Sequence, residues 1–247
     1  MKNVFRIVAT LLLSVVIVFA VGCTKSDDSN NGSNNNGGNN GGEGNGINFN
    51  GHAYVDLGLP SGTLWATCNI GATTPDGYGY YYAWGETQIK DVYNWTTYKY
   101  CNGSFDQLTK YCDKANFGYN DYTDNLTILE SNDDAASFHW GGDWHIPNRA
   151  QWQELFENTN SVFTNQNGVD GLLFTASNNC YLFLPAAGVR YESELSNHNK
   201  YGHYWSNSID TSSPDNACYF FFSSNYSSMN VGLRDFGFSI RPVCSAK

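Results

Sequence analysis

The sequence predicts an α+β fold built from short antiparallel strands, two helices and long irregular loops. Three observations carry that expectation. Short runs rich in Val, Leu, Phe, Tyr and Trp recur between clusters of Gly, Asn, Ser and Pro. Only two segments carry helix-start chemistry. Seven Trp, 17 Tyr and 15 Phe supply enough rings to fill a core from many short pieces.

In chain order, Ala53 to Leu57 and Thr63 to Cys68 flank Leu59-Pro60-Ser61-Gly62, where Pro and Gly take the places a type I turn favours, so an opening hairpin is expected. Tyr78 to Trp84 and Asn94 to Tyr100 are aromatic blocks beside glycines, read as strands or ordered loops packed under rings. From Cys101 to Asn132 Asn, Asp, Tyr and Thr dominate, and a long irregular insertion is expected. Asp133 to His139 places carboxylates where a helix dipole favours them, with Gly141-Gly142 as the stop. Asn148 and Gln151 form a capping-box pair, and Trp152, Leu155 and Phe156 share one face of the helix that follows. Strands are then expected at Leu172 to Thr175, Cys180 to Leu184, Tyr204 to Asn207, Cys218 to Phe222 and Phe238 to Val243.

The ends of the chain speak of location. Lys2 and Arg6 precede an apolar run, Ile7 to Val21, that is too short for a spanning helix and reads as an export signal. Ala20-Val21-Gly22-Cys23 resembles a bacterial lipoprotein box, which implies cleavage after Gly22 and lipidation of Cys23. Thr24-Lys25-Ser26-Asp27-Asp28 resembles the acidic tract of surface-displayed Bacteroidetes lipoproteins. Residues 23–46 are then a lipidated Asn/Gly-rich tether. Its apolar-free part, Ser26 to Gly46, has an r.m.s. span of about 25 Å. Residues 47–247, about 200, form one domain. The expected address is the outer membrane at the cell surface, with the membrane as a partner through the lipid anchor. Removing Lys2 and Arg6 from 13 basic residues leaves 11 against 23 acidic ones, a balance of −12 that opposes nucleic-acid binding.

Cys68, Cys101, Cys112, Cys180, Cys218 and Cys244 are disulfide candidates in an exported chain. Spacing favours Cys101 with Cys112 and allows Cys68 with Cys244. Buried thiols are the alternative, since no CxxC or Cys/His metal spacing occurs.

Trp144-His145-Ile146-Pro147-Asn148-Arg149-Ala150-Gln151-Trp152-Gln153-Glu154-Leu155 resembles the W-R-[LM]-P-T-x-x-E-W-x-x-L segment of the Fibrobacter succinogenes major paralogous domain family. Leu184 to Tyr191, Gly202 to Ser208 and Arg234 to Val243 follow in that family's order, and Tyr54 to Ala66 is similar to its Bacteroidetes opening. The resemblance implies a C-type-lectin-like, formylglycine-generating-enzyme-like architecture. His145, Asn148 and Gln151 depart from the usual Arg, Thr and Glu, but Asn and Gln still cap.

A lectin calcium site needs converging oxygens. Ile146-Pro147-Asn148 and Trp205-Ser206-Asn207 fall short of it, for Ile146 is no carboxylate and Asn148 is committed to the cap. Formylglycine-generating relatives are copper oxidases with paired cysteines, whereas Cys218 and Cys244 are far apart. His139 with His145 and His198 with His203 lack helical metal spacing, and Glu192 and Glu194 sit in an expected loop. No cofactor, metal site or catalytic residue is therefore expected. Trp65, Trp144, Trp152 and Trp205 are assigned to the core. Trp84, Glu86, Trp95, Tyr191 and His203 adjoin Gly-rich or polar loops and are the expected ligand-binding residues, since rings stack on sugars and carboxylates bind hydroxyls. The expected function is non-catalytic recognition or adhesion toward a glycan or protein. The runner-up is an assembly subunit of an envelope complex, and an oxidase comes third.

Overall fold

Tyr54, Val55 and Asp56 pair with Ala66, Trp65 and Leu64 across the turn at Pro60, where the Gly62 amide donates to the Leu59 carbonyl at 2.9 Å. The computed structural model describes residues 48–245. Its first sheet joins β1 (Asn48–Phe49), β2 (His52–Asp56), β3 (Thr63–Ala66) and β12 (Val243–Ser245), with β12 laid antiparallel on β3. The opening hairpin and the last strand thus meet, and Trp65 and Val243 are buried where they pair.

Two helices follow a long irregular stretch. Residues 101–132 contain only short 3-10 turns at Ala115–Phe117 and Tyr119–Asp121 and single bridges. α1 (Ala135–Trp140) starts where Asp134 Oδ1 accepts from the amides of Ala136 and Ser137, and ends at Gly141. α2 (Arg149–Glu157) has the complete capping box: Asn148 Oδ1 accepts from the Gln151 amide at 2.9 Å, and Gln151 Oε1 accepts from the Asn148 amide at 2.9 Å. Glu154 also receives the amide and hydroxyl of Ser61, which ties α2 to the opening turn.

β4 (Thr159–Gln166), β5 (Val169–Ala176) and β6 (Tyr181–Pro185) form an antiparallel meander. β7 (Val189–Tyr191) and β8 (Glu194–Ser196) form a hairpin, so Tyr191 and Glu194 lie in a paired turn rather than the loop expected there. β9 (Gly202–Ile209), β10 (Asn216–Phe222) and β11 (Ser227–Leu233) make the third sheet, ordered β11-β10-β9. Every one of these ladders is antiparallel. The described residues are therefore mostly antiparallel β with two short helices. Phe238 to Pro242, expected as strand, instead threads between elements through single bridges of Phe238 to Tyr82 and Ser239 to Tyr204.

The core divides into clusters. Trp65, Trp152, Phe174, Tyr204, Phe220 and Phe222 fill one, and Tyr82, Trp84, Tyr93, Trp205 and Phe238 fill another. Leu64, Ala66 and Trp144 form a third. All four tryptophans assigned to the core are buried. Packing is tight enough that a Cβ on Gly202 would fall 2.0 Å from Cε1 of Phe222.

The cysteine pairings favoured by spacing are corrected by the structure. Cys68, Cys101, Cys112, Cys218 and Cys244 are free thiols. Cys244 pairs in register with Leu64, leaving Cys68 four residues along and roughly 13 Å away at strand rise, beyond bridging distance. Cys101 donates to the Trp95 carbonyl at 3.1 Å and Cys112 to that of Lys114 at 3.1 Å, so each is held by its own loop.

Candidate functional site

The alternation of β10 decides where exposed rings gather. Phe220 and Phe222 point toward α2, with Phe220 stacked on Trp152 at 5.0 Å. Tyr219 and Phe221 take the opposite face, in register with Trp205 and His203 of β9 and with Asn230 and Ser228 of β11. Gly232 makes room for this arrangement, since a Cβ there would lie 3.0 Å from Tyr219 Cε1.

From this face a continuous strip of rings runs across the molecule. Tyr226 meets Phe221 at 6.2 Å, Phe221 meets His203 at 5.2 Å and Tyr201 at 5.6 Å, and His203 meets Phe238 at 5.0 Å. Phe238 then meets Phe236 at 6.3 Å, and Phe236 meets Tyr191 at 5.1 Å. Buried Phe238 and Tyr219 form the floor, Phe221 and Phe236 are half-buried, and Tyr226, Tyr191 and Tyr201 are 57%, 51% and 38% exposed. Ser223 and Asn225 adjoin Tyr226 in the β10–β11 turn, and Ser228 and Asn230 stand opposite Phe221 and Tyr219. Phe221, His203, Tyr219 and Tyr191 project from paired strands, and Tyr226, Tyr201 and Phe236 pack against them from adjoining loops, so part of the surface is held in shape before any ligand arrives.

Of the five expected ligand-binding residues, the strip takes two. Tyr191 is its exposed end. His203 is only 9% exposed and lies in the floor, with Nδ1 lacking a hydrogen-bond partner; burial pulls its pKa down to about 4. His203 is therefore neutral support for Phe221 and Tyr201.

The other three lie outside the strip, and burial corrects the expectation for two of them, Trp84 and Glu86. Trp84 is fully buried: its indole N–H donates to the Ser206 carbonyl at 2.8 Å, and the Arg234 guanidinium lies 4.9 Å over its ring. Arg234 is held by the Tyr98 hydroxyl and by carbonyls of Tyr111, Pro214 and Lys110, so the Trp84 cation–π contact is part of a satisfied interior. Glu86 is buried and accepts from Lys90 Nζ at 2.9 Å and the Lys99 amide at 2.8 Å, which occupies it structurally. Trp95 is half-buried, edge-on to Tyr98 at 5.5 Å.

Tyr201, Phe221, Tyr226 and Phe236 were missed. Period-two alternation through Tyr219-Phe220-Phe221-Phe222 was the available signal, because it must give two rings to each face. Which face α2 would cover was not legible. The long insertion has its own polar anchor in Asp133, whose Oδ2 accepts from Lys110 Nζ at 2.6 Å and the Tyr111 hydroxyl at 2.7 Å. Burial opposes ionisation there, yet those bonds and one from Tyr100 bring its pKa down to about 2.

Among the described residues no three His, Cys, Asp or Glu side chains come together as metal ligands. Ile146, Pro147 and Asn148 do adjoin the Trp205-Ser206-Asn207 strand, through the Asn207 amide to the Pro147 carbonyl at 3.1 Å, but Asn148 caps α2. Comparison with protein-family models, curated proteins and solved structures returned no match.

Proposed function

We propose that this chain is a cell-surface recognition module that binds a glycan along the aromatic strip and catalyses nothing. The exposure of Tyr226, Tyr201 and Tyr191 on one connected row of rings carries the reading. Faces of pyranose rings pack on such side chains, and Asn and Ser on the border suit hydroxyls. The proposed architecture is lectin-like, of the Fibrobacter succinogenes major paralogous domain type, with antiparallel sheets and a capping-box helix in support. Proposed anchoring is through Cys23, which lies outside the described residues. Labelling by palmitate should disappear in a Cys23→Ala chain; undiminished labelling removes the anchor. For the strip, glycan-array binding of the mature chain should weaken at least about tenfold in Tyr226→Ala and Tyr191→Ala. Unchanged binding in both rejects the reading.

Assembly with other subunits is the second reading. Among the described residues, β4 pairs only with β5 and leaves an eight-residue edge on which Val162 is 62% exposed. Such an edge can add a strand from a partner. Loss of a native complex on Val162→Lys, with glycan binding intact, would favour assembly over the strip.

A further inference from the structure

Along β4 the backbone is open to an incoming strand. The Asn167-Gly168 turn, with φ of 52° and 87°, joins β4 to β5 through two residues and closes on Gln166 and Val169, which exchange hydrogen bonds. Alternation then gives the bonds with β5 to Gln166, Thr164, Val162 and Asn160, and turns the backbone of Asn165, Phe163, Ser161 and Thr159 outward. The far side of β5 agrees. Asp170, opposite Asn165, donates its amide to Asn199 Oδ1 at 3.2 Å and accepts the Ala186 amide at 2.7 Å, and Ala176, opposite Thr159, donates to the Cys180 carbonyl at 2.9 Å. Four N–H and four C=O groups of β4 therefore face away from the ladder, and none of them bonds to another described residue.

The side chains leave this edge equally open. T-N-S-V-F-T-N-Q carries no charge and no Pro, the devices by which edge strands repel others, although the chain has a net charge of −10. Val162 stands at the centre of the outward-facing set and is 62% exposed. The β11 edge differs, because its Val231 amide is already taken by Asn230 Oδ1 at 2.9 Å.

We propose that β4 pairs antiparallel with β4 of a second copy of this chain, about a two-fold axis through Val162. The inference names the partner in the assembly reading above and rests on that reading. The axis sets Ser161 opposite Phe163 of the second copy and Thr159 opposite Asn165. Symmetry repeats both, giving four pairs that exchange two hydrogen bonds each, and every outward group of both strands is used. An axis through Phe163 would leave Thr159 facing the turn and make only three such pairs. At Val162 the two copies meet in a non-hydrogen-bonded pair, where side chains approach most closely, so each valine covers the other. Neutrality favours an identical partner: a charge on this strand would meet its like or lie beside it, whereas an unlike partner could be selected by charge, and 23 acidic residues make charge plentiful elsewhere.

The test is disulfide trapping of the full chain with oxidised glutathione, at high concentration because one strand per copy is a small interface. Val162→Cys should give at least about tenfold more disulfide-linked dimer than Asn160→Cys or Thr164→Cys alone, since its two copies lie within bridging distance and theirs lie roughly 14 Å apart. Mixing the Asn160→Cys and Thr164→Cys chains should restore the dimer, because the register places those residues opposite each other. Sedimentation equilibrium of the unsubstituted chain should show a dimer that Val162→Lys, by setting two cations face to face, returns to monomer. Equal trapping at the three positions overturns the register. A monomer throughout overturns the pairing: if Val162→Lys still dissolves a native complex, assembly stands with another partner, and if it dissolves none, both readings fall.

Discussion

The two faces of the β9–β10–β11 sheet are made of the same residue types yet have opposite fates. Toward α2, Phe220, Phe222 and Tyr204 are sealed beneath Trp152. On the other side Tyr219 and Phe238 are buried, but Phe221 is only half covered and Tyr226 and Tyr201 reach solvent. The difference lies in the cover. One face receives a capped helix; the other is covered at Trp205 by the Tyr82 region and at Tyr219 by Phe238, which leaves the rim at Phe221, Tyr226 and Tyr201 open. Aromatic content by itself therefore marks neither core nor site.

The largest way to test that contrast is Phe220→Ala, which empties space under Trp152 and should cost about 3–5 kcal/mol in denaturant unfolding. A cost below about 1 kcal/mol would mean that the helix does not seal this face. Next comes the cover itself. Asn148→Ala removes the acceptor for the Gln151 amide and should lower stability by about 1 kcal/mol, with glycan binding retained because α2 lies on the face opposite the strip.

The titrating groups near the strip should give opposing slopes with pH. His203, lowered by burial to about 4, contributes stability that is present above its ordinary 6.5 and lost as pH falls toward 4. Asp235, raised by burial to about 7, contributes stability that is full below 3.8 and lost as pH rises through 7. The two offset each other between pH 4 and 6.5. In Asp235→Asn, melting temperature should therefore rise with pH across that window more steeply than in the unsubstituted chain; parallel curves would show that the Asp235 acid is not retained protonated. Smallest of all is the stability effect of Tyr226→Ala, expected within about 0.5 kcal/mol despite its loss of binding. A large loss of stability would move Tyr226 from the site to the core.

Some of this was open to sequence reasoning. The cap at Asn148 was legible because its chemistry is local, needing only Gln151 three residues on. Strand segments in β5, β6, β9 and β10 were legible because apolar runs mark them. β4 and β11 were not expected as strands, and their sequences, T-N-S-V-F-T-N-Q and S-S-M-N-V-G-L, explain it: edge strands draw their order from the partner's ladder. Trp84 was misplaced for a related reason. Its neighbour in sequence is the flexible-looking Gly85, while its neighbours in space are Arg234 and Tyr111, far along the chain.

By itself the sequence determined the helix caps, the opening turn, the alternating rings of β10 and the assignment of Trp65, Trp144, Trp152 and Trp205 to the interior. These follow from bonds and periodicities spanning a few residues. Only the tertiary structure decided that Trp84 and Glu86 are interior, that five cysteines remain thiols and that Tyr191 joins Phe236 and Tyr226 in one strip. Each of those outcomes depends on which distant segment covers a side chain, and burial is a property of the neighbour as much as of the residue.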